Sequence, residues 1–204
     1  STLLATLFPY TTLFRSPAMT ELFATAPPLV ALNQGALKSE RVTVVNADAL
    51  QWLEESKDYF DFIVIDFPDP ANFALGKLYT SAFYRLLEKR LSARGLIVVQ
   101  STSPLYARQS FWCVVTTLEE VGFRTAPYHA LVPSFGEWGY IIAGRQEFAP
   151  VAVDLPKTRF LTAETIPLLF SFPADMARVP AEVNRLNNQV LVRYFEQEWR
   201  KVIR

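Results

Sequence analysis

The chain has 204 residues, half of them apolar and a fifth charged, with 20 Lys and Arg against 20 Asp and Glu. That length and apolar content suffice for one buried core and exclude a disordered chain, while the even charge balance excludes a polyelectrolyte tail or a broadly basic nucleic-acid binder. A lone Cys113 and a lone His129 exclude an internal disulfide framework and argue against a structural zinc site.

In chain order, residues 1–16 are greasy but short, broken by Pro9 and without the basic start of a secretory signal. The run TLFPYTTLFRS resembles a translated sequencing adapter, so this segment is expected to be non-native and is set aside. That leaves residues 17–149 as a partial domain and 150–204 as a linker and helical extension. No later stretch reaches the roughly 18 to 20 apolar residues of a bilayer crossing. Apolar spacing predicts a helix over residues 19–32, with Thr20 as a cap and Gly35 past its end. RVTVVN (41–46) predicts a strand, residues 50–55 a short helix, and FDFIVI (60–65) a buried strand. Residues 79–91 predict an amphipathic helix closed by Gly95, LIVVQ (96–100) a third buried strand, and 109–121 a helix stopped by Gly122. Two extended segments follow, 123–132 and 138–143, joined by a turn through Pro133 and Gly136; 150–156 predicts a linker and 162–204 a helical appendage without evident chemistry.

Strands separated by helices imply right-handed crossovers and a mainly parallel sheet covered on both faces, and the last two strands imply an antiparallel pair at one edge. Ligands of such sheets sit beyond the carboxyl ends of the strands. Asp48, then Asp66 and Asp69, then Gln100 and Ser101 occupy those ends. The sharpest feature is DFPDP (66–70), two carboxylates three apart on a proline-stiffened turn. Such a pair can bind a cation, hold a metal or divide into acid and base; each Asp can equally be a cap for the following turn. Phe111, Trp112 and Tyr84 fit helix faces as core, and His129 and Cys113 show no partner pattern.

The segments NADALQW, FDFIVIDFPDP, KLYTSAFYRLLEKRLSARGLIVVQSTS and PYHALVPSFGEWGYIIA together resemble the polyamine aminopropyltransferases, the spermidine synthase family, over residues 17–144. FWCVVTTLEEVGF and FPADMARVPAEVNRLNNQVLVRYFEQEW resemble its bacterial branch in which a membrane-spanning amino-terminal half precedes the synthase domain. The resemblance implies an α/β, Rossmann-like class I methyltransferase fold, here amino-terminally truncated, with a helical carboxyl-terminal appendage. It implies aminopropyl transfer from decarboxylated S-adenosylmethionine, a co-substrate rather than a bound cofactor, to a diamine such as putrescine, giving spermidine and methylthioadenosine. The partners implied are that diamine and the nucleoside donor, with no nucleic acid and no metal; a homodimer is an option, and the expected location is cytoplasmic, tethered to the membrane only through an upstream segment. Matched residue by residue, Asp66 is the catalytic aspartate, Asp69 a substrate-nitrogen ligand, and Asp48 with Ala49 the adenine contact. Tyr79, Gln100 and Glu137 are further substrate-side candidates, each with an alternative structural role.

The family's glycine-rich loop and ribose-binding acid fall upstream of the match, and Phe14 and Ser16 stand in the acid's expected place. Phe135 replaces a tyrosine common in the family, and Ala71, Asn72 and Phe73 replace a glycine-proline stretch. These departures predict weak donor binding and little transfer by the fragment alone, and a sheet lacking its first two strands predicts a bare edge or apolar face prone to self-association. An S-adenosylmethionine-dependent methyltransferase and a non-catalytic polyamine- or nucleoside-binding module remain the alternatives.

Overall fold

FDFIVI and LIVVQ form adjacent parallel strands at the centre of a five-stranded sheet in the computed structural model, which describes residues 5–7, 17–149 and 158–202. The strands are β1 (Ala5–Leu7), β2 (Phe60–Ile65), β3 (Leu91–Ser101), β4 (Arg124–Val132) and β5 (Gly136–Gly144), in spatial order β1-β2-β3-β5-β4. The β1–β2 and β2–β3 pairings are parallel, and β5 runs antiparallel to both β3 and β4, as expected for the edge pair. Pro127 interrupts β4, which edge strands tolerate because a missing N–H can face outward.

The helices are α1 (Pro17–Thr25), α2 (Pro27–Leu32), α3 (Ala49–Glu55), α4 (Phe73–Gly76), α5 (Ser81–Arg90), α6 (Arg108–Val121), α7 (Ile166–Leu169) and α8 (Val190–Val202), with single 3₁₀ turns at Ala36–Lys38 and Lys77–Tyr79. Strand alternation sorts side chains into two faces. Ile63, Ile65, Ile97, Val99, Ile141 and Ala143 share one face and are buried in a single core with Leu53, Phe83, Leu87, Phe111, Val115 and Leu118 from α3, α5 and α6. Phe62, Val64, Leu96, Val98 and Ile142 share the other face and are only half-buried. The expectation of a sheet covered on both faces therefore fails among the described residues: the second face has no comparable helical layer.

Other expectations are corrected for physical reasons. The residue 19–32 helix is two helices, because Pro27 and Pro28 cannot extend α1. Thr20 lies inside α1 and donates to Asn46 rather than capping the helix. RVTVVN is not a strand: Val42, Val44 and Val45 are exposed, and no described strand pairs with them. Residues 5–7, within the segment set aside, instead pair with Ile63, Val64 and Ile65 of β2. The expected linker at 150–156 lies outside the described residues.

Among the described residues the appendage is helical only in α7 and α8; the chain between them is largely irregular and is held on α6 by side chains. Trp112 Nε1 donates to the Met176 carbonyl at 3.0 Å, and Arg108 Nε to the Ala177 carbonyl at 2.6 Å. Glu198 accepts from the backbone N–H groups of Gln109 and Ser110 at 2.7 and 3.0 Å, supplying from α8 the cap that Ala107 cannot give α6.

Gly139 marks the tightest approach between β5 and α6. A Cβ there would meet the Phe111 ring and lie 2.8 Å from the Thr102 carbonyl oxygen. Gly139→Ala is expected to destabilise the fold by about 1–3 kcal/mol through overpacking; an unchanged denaturant midpoint would refute this account of the contact.

Candidate active site

The site is built on the carboxyl end of β2. Ile65 pairs with Val99, so the next residue, Asp66, falls beside Gln100, which pairs with Tyr140, which in turn faces Tyr128. Asp66, Gln100, Tyr140 and Tyr128 thus share one row on the less covered face, and the two tyrosine rings stack at 5.1 Å between centroids. Asp66 is exposed at the lip and Asp69 is half-buried one short turn further on.

Tyr79 holds this turn from beneath. Its buried hydroxyl donates to the carbonyls of Phe67 and Pro68 at 3.2 and 3.0 Å, and its ring packs edge-on against Phe67. Phe67 is itself buried against Phe83, so DFPDP is anchored by its second residue, between the exposed Asp66 and the half-buried Asp69.

Neither aspartate side chain has a hydrogen-bond or ion-pair partner among the described residues. Burial pushes the Asp69 carboxyl up to about 6 and raises that of Asp66, since no cation offsets the lost hydration. The Tyr79 hydroxyl is raised well above its ordinary value, first by burial, then by the charges of Asp69, Tyr84 and Asp66. Tyr140 is raised by burial and by Asp66. Both carboxylates therefore act on one neighbourhood, flanked by Tyr79 below and Tyr140 alongside.

Asp48 behaves differently. Its Oδ1 accepts from the N–H groups of Leu50 and Gln51, capping α3, and its Oδ2 pairs with Lys77 Nζ at 2.9 Å. Burial alone would raise this carboxyl; the Lys77 ammonium and the two backbone donors outweigh it and hold the group below the usual range. Lys77 ties the start of α3 to the segment that follows DFPDP, so Asp48 belongs to the same rim, and Ala49 is buried behind it. Gln100 is half-buried with no side-chain partner among the described residues, and beyond it the hydroxyls of Ser101 and Thr102 are buried without partners there.

Glu137 does not join this group. It and His129 lie on the opposite, α6-facing side of the sheet, where His129 Nδ1 is 2.5 Å from Glu137 Oε1 and Nε2 is 2.8 Å from the Ser171 carbonyl. The Glu137 carboxylate already has a partner, and the His129 that showed none in the sequence links β4 to the appendage, as does the Tyr128–Phe170 ring contact. Sequence reasoning also missed Tyr140 and Lys77: Tyr140 becomes visible only once Gln100 is known to pair with it, and Lys77 only once α3 and the DFPDP segment share an edge. Cys113 is buried, and its thiol is pushed up to about 12 by that burial, which leaves it unreactive. A surface hollow of about 640 Å³ lined by Glu119, Gly122, Phe123 and Arg124 among others lies at the other end of the strands.

The Asp69 shift carries a stability consequence of definite sign. Its folded-state pKa exceeds the unfolded one, so the folded chain holds a proton that the unfolded chain releases first, and stability falls as pH rises from about 4 through about 6. Asp69→Asn is expected to stabilise the protein by about 2 kcal/mol at pH 8 and by far less at pH 4. Denaturant titrations at the two pH values check this; an equal effect at both would contradict it.

Residues 28–154 match the family model described as the spermine/spermidine synthase domain. The chain is 57% identical over 190 residues to polyamine aminopropyltransferase 2 of Ralstonia nicotianae, covering 92% of this chain and 37% of that protein. It is 49% identical over 187 residues to the polyamine aminopropyltransferase of Leptospira interrogans, covering 91% of this chain and 37% of that protein. The chain thus spans little more than a third of the length of these curated relatives. A crystal structure of spermidine synthase in complex with the transition state analogue AdoDATO superposes with a TM-score of 0.58 at 22% identity, over 74% of this chain and 56% of that one. Spermidine synthase from Thermotoga maritima superposes with a TM-score of 0.56 at 21% identity, over 74% of this chain and 55% of that one. The shared architecture is the Rossmann-like, methyltransferase-type fold, and with the family match covering more than half of its length, the chain belongs to the spermine/spermidine synthase domain family.

Proposed function

We propose that this domain transfers an aminopropyl group from decarboxylated S-adenosylmethionine to a diamine such as putrescine. The observation that carries the reading is the pair of unpartnered carboxylates, Asp66 and Asp69, on one braced turn at the carboxyl end of a central parallel strand. A diamine is a dication at neutral pH, and a protonated amine has no lone pair for attack. The site must therefore attract positive charge and also remove a proton, and carboxylates perform both tasks.

In this mechanism Asp69 holds a substrate ammonium and Asp66 orients the attacking amine and accepts its proton. The freed nitrogen lone pair attacks the propyl carbon next to the donor sulfonium in line with the C–S bond. That bond breaks with its electron pair going to sulfur, leaving neutral methylthioadenosine, while the amine proton passes to the carboxylate. The sulfonium carbon is already activated, so the residues supply positioning and proton transfer. The Asp66 carboxyl, raised by burial, is better matched to that transfer than an ordinary one, and the incoming dication, once bound, favours the ionised form of both acids. Asp48, with Ala49 behind it, is assigned to the adenine of the donor, its Oδ2 exchanging Lys77 for the exocyclic amine. Gln100, beside Asp66, is assigned to the polar wall of the acceptor channel. Tyr79 serves as the brace of the turn. Glu137, held by His129 on the far face, has no role in this scheme.

The test is a transfer assay on the full-length protein with putrescine and either decarboxylated or intact S-adenosylmethionine, with products identified by mass spectrometry. Spermidine and methylthioadenosine are expected only with the decarboxylated donor, and Asp66→Asn is expected to lower kcat by at least about 100-fold. Methyl transfer from the intact donor, or full turnover by the Asp66→Asn enzyme, would overturn the assignment.

A further inference from the structure

One residue of the appendage reaches back to the candidate site. Asn184 is fully buried, and all of its polar groups are engaged. Its side-chain Nδ2 donates to the carbonyls of Gly76 and Tyr79 at 3.2 and 3.1 Å, while Oδ1 accepts from the Leu191 N–H at 3.3 Å. Its backbone N–H donates to Thr117 Oγ1 at 2.9 Å, and its carbonyl accepts from the Ser81 N–H at 2.9 Å. The amide orientation is fixed by chemistry, since two carbonyls can face only an N–H₂ group and an N–H can face only the oxygen.

The surrounding packing is equally close. A Cβ on Gly76 would lie 2.5 Å from Val192 Cγ2 and 2.8 Å from Gln189 Oε1, so the start of α8 sits directly on the backbone that leads into Tyr79. From Tyr79 the path to the aspartates is short: the hydroxyl bonds the Phe67 and Pro68 carbonyls, and Asp66 and Asp69 flank those two residues. The family match ends at residue 154, so Asn184 lies outside it while Gly76 and Tyr79 lie within.

We infer that Asn184 is a positioning residue for the Asp66–Asp69 turn, acting through Tyr79, and that the carboxyl-terminal appendage is thereby part of the active-site scaffold. The inference deepens the aminopropyltransferase reading and rests on it for its catalytic consequence, though the mechanical link does not. Asparagine is the residue this node requires. Aspartate would set a carboxylate against two carbonyl oxygens, and leucine would leave both carbonyls and the Leu191 N–H unsatisfied in the core.

The link is tested in the full-length protein with Asn184→Ala, Tyr79→Phe and the double variant. Glu198→Ala serves as the control, because it loosens the appendage at α6 without touching residues 76–81. Hydrogen exchange read by mass spectrometry on peptides spanning residues 66–72 is expected to speed up about tenfold in Asn184→Ala and in Tyr79→Phe, with no further gain in the double variant. Glu198→Ala is expected to lower the melting temperature and leave exchange in that peptide unchanged. In the transfer assay, kcat is expected to fall about tenfold in the first two variants with the diamine KM moving less than about twofold, because the turn that aims the Asp66 carboxylate is loosened while the binding carboxylate stays on the same turn. Unchanged exchange at residues 66–72 in a folded Asn184→Ala protein, or an equal change in Glu198→Ala, overturns the inference. Should Asn184→Ala fail to fold, unchanged exchange and unchanged kcat in Tyr79→Phe overturn it instead. Because exchange is read without substrate, a wild-type protein that transfers no aminopropyl group counts against the functional reading and leaves the exchange result to decide the link.

Discussion

The central constraint is the fixed turn that keeps the Asp69 carboxylate short of hydration beside the exposed Asp66. Among the described residues Asp66 and Asp69 stand at the end of an apolar strand with no cation beside them, an arrangement that costs the fold free energy and is held because the turn carrying them is fixed from below. Phe67, sunk among Tyr79 and Phe83, is the fixing point, and the Tyr79 hydroxyl closes the turn carbonyls. A surface loop would relieve the two acids by turning them into water. This one cannot do so without withdrawing an aromatic side chain from the core, so the negative potential stays directed into the cleft.

The third acid of the rim shows the opposite solution. Asp48 caps a helix and pairs with Lys77, so its charge is satisfied within the fold and its carboxyl is held down. The acids thus fall into two kinds, one neutralised by its neighbours and one without a partner among the described residues. The division follows from local neighbours rather than from residue type.

How much of this the sequence revealed depended on whether a property was local. FDFIVI, LIVVQ and the α6 run FWCVVTTL announce themselves because apolar residues at strand or helix period are sufficient signals on their own. The proline-stiffened DFPDP turn was legible for the same reason. RVTVVN carried an equally good strand pattern and is not one, since a strand is a relation between two segments and no described segment pairs with it. Tyr140 and the His129–Glu137 contact are matters of register and sheet face, which a single segment does not encode. Asn184 was invisible for a further reason: its importance lies in five partners scattered from Gly76 to Leu191, and nothing in NRLNNQ distinguishes it from its neighbours Asn187 and Asn188.

The proline in β4 has a consequence beyond the single molecule. The ladder between β4 and β5 keeps its register across Pro127, so the donor that proline lacks falls on the outward side of the strand. A foreign strand laid along that border would meet a gap in the middle of its hydrogen-bond row. Edge-to-edge growth of sheets into fibres is thereby discouraged at this rim.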